Sequence, residues 1–291
     1  MTGTAQRPRR CVRSRKLPVL DVPTVAIVIV TYNVHDEISA CLTSLEDQTD
    51  HPRTSITIVD NASRDGTTER VRQQWPVVRV IETGENLGFA RANNVGIRAT
   101  VSEYVLLLNP DTVVRRGAIA RLVDELSVHP EAAAAGPRLV DERGVAELSF
   151  GWTMSPLGEA RQRAAGALYR RGVAPFASRI EAWTRSAGER EWLSGACLLV
   201  RRSDLERVGL LDERYFMYTE DIDLCVALRR HGRAVRYVPD AEVVHLRGRS
   251  AARNEQTERL RRQSQLAYYA KHHPAWVPIL KLYLRATGKN G

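Results

Sequence analysis

The first part of the chain alternates short apolar runs with stretches whose apolar residues recur every three or four positions. "VAIVIVTYN" (25–33) is a run of mostly β-branched residues that predicts a strand, and residues 36–47 place Ile38, Cys41, Leu42 and Leu45 at helical spacing. "SITIVDNAS" (55–63) predicts a second strand, followed by a helix from about Asp65 to Gln74. "VVRVIE" (77–82) predicts a third strand, and "NLGFARANNVGIRAT" a helix with glycine at its start. "YVLLL" (104–108) reads as a fourth strand, buried on both faces, with a helix over 115–128. This rhythm implies an α/β fold: a doubly wound, mostly parallel sheet with helices on both faces. In such sheets ligands bind beyond the carboxyl ends of the strands.

The rhythm is lost over 141–190, where "GWTMSPLGEARQRAAGALYRRGVAPFASR" is rich in Gly, Pro and Arg. A variable, partly mobile insertion near the site is expected there. Order returns with a strand in "EWLSGACLLVRR" (191–202) and a helix from about Asp221 to His231. One or two short strands follow in "RAVRYVPDAEVVHLRG" (233–248), ending at His245, and then a helical tail over 254–285, interrupted near Pro274. The pattern contains no internal repeat.

Composition adds limits. The 291 residues are 43% hydrophobic and 26% charged, enough for a sizeable core. Cys11, Cys41, Cys197 and Cys225 are far apart, which argues against a disulfide framework or a zinc cluster. The net charge of +9 is concentrated at the ends: residues 1–16 carry six Lys/Arg and no acid, and residues 246–291 carry ten against two Glu. The body between them is slightly acidic, so a nucleic-acid-binding domain is not expected. Basic ends fit either an anionic membrane surface or solvated, disordered tails. The charged start followed by "VPTVAIVIV" imitates a signal peptide, but no small-residue cleavage site follows. No apolar run approaches the ~18 residues a membrane span needs.

Candidate chemistry sits at the strand ends. The first strand delivers Thr31, Tyr32 and Asn33, the second Asp60 and Asn61, and the fourth "NPD", in which Pro110 stops the ladder between Asn109 and Asp111. Asn86, Gly88, Arg91 and Asn94 lie around a helix N-terminus, where backbone N–H groups, the dipole and an arginine suit phosphate. An Asp that ends a strand also serves as a turn-maker or cap, so each signal alone is weak. In "WLSGACLLV", Ser194, Gly195 and Ala196 are small enough for a sugar-diphosphate to approach the backbone, and Trp192 offers a face for a sugar. "TEDIDL" places Glu220 and Asp221 at a helix start, where they cap, catalyse, or do both.

In this order "VIVTYN", "IVDNASRDGT", "NLGFARANNVG", "LLLNPD", "WLSGACLLVRR", "DERYFMYTEDIDLCVALRRHG" and "VVH" resemble the family 2 glycosyltransferases of GT-A fold, over about residues 24 to 250. Within that family the likeness is to bacterial rhamnosyltransferase-like enzymes of cell-wall and surface polysaccharides, and more distantly to galactofuranosyltransferases. The resemblance implies that Asp60 binds the nucleotide base and that Thr31, Asn86 and Arg91 flank the nucleotide and diphosphate. "NPD" stands where many relatives have Asp-x-Asp, so Asp111 holds a divalent metal, Mg²⁺ or Mn²⁺. Asn109 departs from the acidic version and brings less charge. His245 is a further metal ligand, and Asp221, of the Glu220–Asp221 pair, is the base. Arg247 and Arg249 are an alternative countercharge for the diphosphate.

The implied layout is a basic disordered tail (1–22), a GT-A domain (23–250) and a basic helical extension (251–291). The domain divides into a nucleotide-sugar half (23–140) and an acceptor and catalytic half (141–250). The expected reaction is an inverting transfer from a dTDP-, UDP- or GDP-linked sugar, rhamnose from dTDP-rhamnose foremost, to a glycan or lipid-linked glycan hydroxyl. Adjacent acids favour a basic Asp221, and no covalent nucleophile stands in the set. A cytoplasmic protein, peripheral on the inner face of the membrane, is expected. Three competing readings make different demands on the sequence. A nucleotidyltransferase would carry a glycine-rich phosphate loop where "TYNVHDE" stands, a dinucleotide oxidoreductase would carry GxGxxG there, and a non-catalytic scaffold would dock on lipid through its basic tails.

Overall fold

The computed structural model describes residues 22–46, 48, 52–246 and 255–286. The tail expected over 1–22 falls outside them except for its last residue, and Arg247 and Arg249 also lie outside the described residues. In chain order the first half runs β1 (Thr24–Thr31), α1 (Glu37–Glu46), β2 (Arg53–Asp60), α2 (Thr67–Gln74), β3 (Arg79–Glu82), α3 (Phe89–Arg98), β4 (Tyr104–Leu108), β5 (Thr112–Val114) and α4 (Ala118–Val128). The second half runs β6 (Ala132–Val140), β7 (Phe150–Gly151), α5 (Pro156–Arg170), α6 (Phe176–Thr184), β8 (Gly188–Glu189), β9 (Trp192–Leu193), β10 (Cys197–Arg201), α7 (Arg202–Arg207), α8 (Glu220–Arg230), β11 (Ala234–His245), α9 (Glu255–His272), a 3₁₀ turn (Pro274–Trp276) and α10 (Val277–Ala286).

The main sheet has the order β3-β2-β1-β4-β10-β6-β11-β5, with β8 pairing β11. The four strands from β3 to β4 are parallel. β10 then runs antiparallel to both β4 and β6, β11 is parallel to β6, and β5 is antiparallel to β11. The sheet is therefore mixed, its parallel half being the one legible from the strand–helix rhythm. Successive residues of β1 and β4 point to opposite faces and meet two separate cores. Ile27, Ile29, Leu106 and Leu108 pack with Ile38, Leu42, Ile119 and Leu122, whereas Val28, Val30, Val105 and Leu107 pack with Ala90, Ile97, Leu224 and Leu228. Both faces being covered, the strands must read as unbroken apolar runs, as they do.

Two elements depart from the sequence expectation. β6 begins "AAAAG", which carries no β-branched residue and gives no strand signal, yet all nine of its residues are buried in the sheet. There, burial rather than propensity decides. The region 141–190 holds the helices α5 and α6 instead of an irregular insertion. α5 starts where the Ser155 side chain accepts from the Gly158 N–H with Pro156 in the first turn, a cap readable in hindsight. The C-terminal helices pack back on the domain through Tyr215, Tyr268, Tyr269, Leu280 and Leu284. Among the described residues no helix is long and apolar enough to cross a membrane.

Candidate active site

Register aligns the strand ends: Thr31 lies opposite Asp60, and Ile29 opposite Leu108. Asp60 is 1% exposed. Its carboxylate accepts from Thr31 Oγ1 at 2.8 Å, the Ser63 N–H at 2.8 Å and Ser63 Oγ at 2.5 Å. The Asn33 N–H donates to Ser63 Oγ, and Asn33 Oδ1 accepts from the Arg64 N–H. Asp60 thus fixes the loops after β1 and β2 as one surface, from which Tyr32 and Asn33 stand exposed. Asn61 joins this surface to the next loop, donating to the Gly88 carbonyl and accepting from the Leu87 N–H. Asn86 accepts from the Gly88 N–H. Gly88 has φ +79°, and a Cβ there would lie 2.3 Å from the Phe216 carbonyl oxygen, so only glycine fits. Arg91 is exposed in the first turn of α3. Asn94 is buried and bonded to Leu211 and Glu213, so its amide ties α3 to the segment before α8.

Beyond β4 the chain turns at Asn109–Pro110–Asp111 into β5, which pairs with the end of β11 so that His245 lies opposite Thr112. The Asn109 N–H donates to the Ala196 carbonyl at 2.9 Å, and the Leu246 N–H to the Asp111 carbonyl at 2.9 Å. His245 Nε2 stands 3.4 Å from Asp111 Oδ1, while its Nδ1 stands 3.1 Å from Glu147 Oε2. Burial opposes protonation of this ring, but hydrogen bonds and charge from Asp111 and Glu147 outweigh it and raise the pKa to about 9. Among the described residues no group of three or more His, Cys, Asp or Glu is arranged to hold a metal. Two donors on one ion at ordinary bond lengths stand about 3 Å apart. The Asp111–His245 spacing fits such a pair, and a bound diphosphate would have to supply the remaining ligands. A carboxylate on the far ring nitrogen is the usual support of a metal-bound histidine.

The third group lies on α8. Glu220 is 5% exposed and Asp221 is partly exposed. Burial and the charge of Asp221 push the Glu220 carboxyl well above the usual carboxylate range, and its Oε2 has no hydrogen-bond partner among the described residues. Burial also raises Asp221, against the Gly195 and Ile222 N–H groups that its oxygens accept at 2.8 Å each. Just upstream, Tyr218 and Thr219 both adopt left-handed backbone, with φ of 71° and 79°. Two successive non-glycine residues in that region are strained, and such strain persists only where surroundings enforce it. Those surroundings come from α9: Ser264 donates to the Met217 carbonyl at 2.7 Å, and the Arg261 guanidinium stacks 4.8 Å over the Tyr218 ring. Lys271 and His272 both contact Asp223 on the α8 first turn. A continuous chain of contacts therefore runs Asp221–Gly195–Ala196–Asn109, with Asp111 and His245 following. Trp192, partly exposed, donates its Nε1–H to the Trp152 carbonyl, and Ser194 is partly exposed beside buried Gly195.

The arrangement thus gathers three strand ends, an Asp–His pair and a basic carboxylate on one sheet edge. The family model for glycosyl transferase family 2 matches residues 26–208, and the chain belongs to that family. It is a glycosyltransferase. It is 35% identical, over 86% of its length and 85% of the relative's, to N-acetylglucosaminyl-diphospho-decaprenol L-rhamnosyltransferase of Mycobacterium tuberculosis. It is 26% identical to dTDP-rhamnosyl transferase RfbF of Shigella flexneri, over 76% of this chain and 68% of that one. Its fold is similar to that of the mannosyltransferase PcManGT of Pyrobaculum calidifontis, solved in complex with GDP-Man and Mn²⁺. That match has a TM-score of 0.62 at 21% identity and covers 89% of this chain and 68% of the other. The fold is GT-A.

Sequence reasoning did not single out Glu147, Ser63, Phe216 or the α9 residues. Glu147 is the lone acid of "VAELSF", a faint signal in a stretch otherwise suited to burial. The α9 residues carry no motif and matter only through a contact between distant parts of the chain.

Proposed function

We propose that the protein transfers rhamnose, with inversion, from dTDP-rhamnose to a hydroxyl of a lipid-linked N-acetylglucosaminyl diphosphate at a cytoplasmic membrane surface. The observation that carries this reading is the linkage of Asp221 to Gly195, and of Ala196 to the Asn109–Asp111 turn, beside His245. It supports a reading in which a base and a pair of cation ligands share one edge and stay separate. The names of the two rhamnosyltransferase relatives support the choice of sugar, nucleotide and acceptor.

Asp111 and His245 would hold a divalent cation, Mg²⁺ or Mn²⁺, whose chemistry is to offset charge on a departing diphosphate. The remaining work belongs to the chain. The loops fixed by Asp60 and Asn61, with Tyr32, Asn33 and Arg91 exposed on them, receive the nucleotide and diphosphate. The Ser194–Ala196 turn lets the sugar approach the backbone, and Trp192 flanks it. Asp221 accepts the proton of the acceptor hydroxyl. The hydroxyl oxygen bonds to the anomeric carbon, the bond from that carbon to the diphosphate oxygen breaks, and the nucleotide diphosphate leaves with the bonding pair. One displacement inverts the anomeric centre. Burial raises the Asp221 pKa, which makes it a stronger base than a solvated aspartate.

A donor panel tests the reading: dTDP-rhamnose and UDP- and GDP-linked sugars, each with an N-acetylglucosaminyl-diphosphate-lipid acceptor, scored by nucleotide diphosphate release. Acceptor-dependent release of dTDP is expected. Release of UDP or GDP alone would move the donor assignment and leave the family intact.

A further inference from the structure

α10 is apolar on two opposite sides. Leu280 and Leu284 are buried against Tyr215, Tyr268 and Tyr269, with Val277 partly buried beside them. Residues two apart on a helix point about 200° away from each other. Ile279 and Leu282, so offset from Val277, Leu280 and Leu284, are 56% and 68% exposed, and Trp276 at the entry to the helix is 45% exposed. An exposed apolar side of a helix needs a partner or a membrane to cover it, and here the described residues cover only the other side. The segment leading into the helix is anchored. Tyr269 and Gln265 of α9 both donate to Glu159 of α5, and the ring of His273 bonds the Met154 carbonyl. At the start of α5, Leu157 is exposed, as are Arg161 and Arg163 beyond it.

We propose that the outward side of α10 docks the protein on an anionic lipid surface, a proposal that rests on the reading of the acceptor as lipid-linked. Charge selects this occupant. Residues 246–291 carry ten Lys/Arg against two Glu, and residues 155–185 six Arg against two Glu. Lys281 and Arg285 of α10 itself are exposed. Positive charge in these segments attracts anionic headgroups and repels a second copy of the chain. Three apolar side chains also fall well short of the roughly 1,200 Å² that a stable protein interface buries. In a bilayer interface the same residues suffice: Ile279 and Leu282 enter the acyl boundary, Trp276 sits at headgroup level, and the basic side chains reach the phosphates.

The test uses the full chain, sedimented with vesicles of phosphatidylcholine alone or with phosphatidylglycerol. Wild-type protein should bind the anionic vesicles and be released by salt. Trp276→Ser/Ile279→Ser/Leu282→Ser should lower that binding by more than about tenfold, while transferring sugar to a water-soluble acceptor analogue as wild type does. Leu282→Ser alone and Lys281→Glu/Arg285→Glu, each checked by thermal melting, should lower it less. Wild-type protein that ignores anionic vesicles overturns the proposal, and so does a triple variant that binds them undiminished. A wild-type dimer that the triple variant loses assigns the face to a second copy instead. Docking without any sugar transfer contradicts the function and leaves the docking standing.

Discussion

The Gly195 N–H donates to Oδ2 of Asp221 at 2.8 Å, and a Cβ built on Gly195 would lie 3.2 Å from the Cβ of Asp221. The turn expected to lie under the sugar and the carboxylate expected to take the acceptor proton are therefore in direct contact. Gly195→Ala crowds the aspartate without removing it. Turnover should fall about tenfold or more, because small displacements of a catalytic group are costly. Affinity for the nucleotide diphosphate should stay nearly unchanged. Steady-state kinetics together with calorimetric titration of dTDP separates the two effects.

Asp221 and Asp111 should fail in different ways. Asp221→Asn removes the base and should lower transfer by about 10²–10⁴-fold, the usual worth of general-base catalysis, with donor affinity almost intact. Asp111→Ala should weaken nucleotide diphosphate and Mn²⁺ binding together. Titrations of both variants check this, and equal loss of donor binding in the two would contradict the separation of roles.

Glu147 stands 3.1 Å from His245 Nδ1, with Asp111 on the other side of the ring. Removing such a support typically costs about 10–100-fold in metal affinity or activity. Glu147→Gln should therefore weaken Mn²⁺ binding in the presence of dTDP, followed by electron paramagnetic resonance, while far-ultraviolet dichroism is unchanged.

Glu220 gives a stability prediction with a definite sign. Burial and Asp221 hold its folded-state pKa well above 4.5, the ordinary value for a glutamate. The folded protein then binds a proton more tightly than the unfolded chain. The associated stability is present below pH 4.5 and is lost as pH rises toward the folded value. Glu220→Gln, which needs no charge there, should melt higher than wild type at neutral pH. The gain should be about 2–4 °C if the relief is near 1 kcal/mol, and it should vanish near pH 4. Melting curves across that range check it.

The parallel half of the sheet and its strand-end residues were legible because each strand is covered on both faces, which forces an apolar run, and each run ends on polar residues. Thr31, Asp60 and Asp111 could be found in this way. β6 could not, since its alanines are set as strand by neighbours contributed from residues 197–245. Likewise Glu147, Ser264 and Lys271 reach the site through tertiary contact alone, which no spacing along the chain encodes. Asn94 shows the reverse: it sits within a motif, and its amide is spent on holding Leu211 and Glu213.

The proposed transfer requires Asp111 and His245 to act as cation ligands beside an independent base. The most direct measurement is acceptor-dependent release of nucleotide diphosphate by metal-stripped protein, before and after Mn²⁺ or Mg²⁺ is restored. Turnover should be absent in the stripped protein, return with metal, and not return in Asp111→Ala. Full turnover in chelator, unaffected by loss of Asp111, would contradict it.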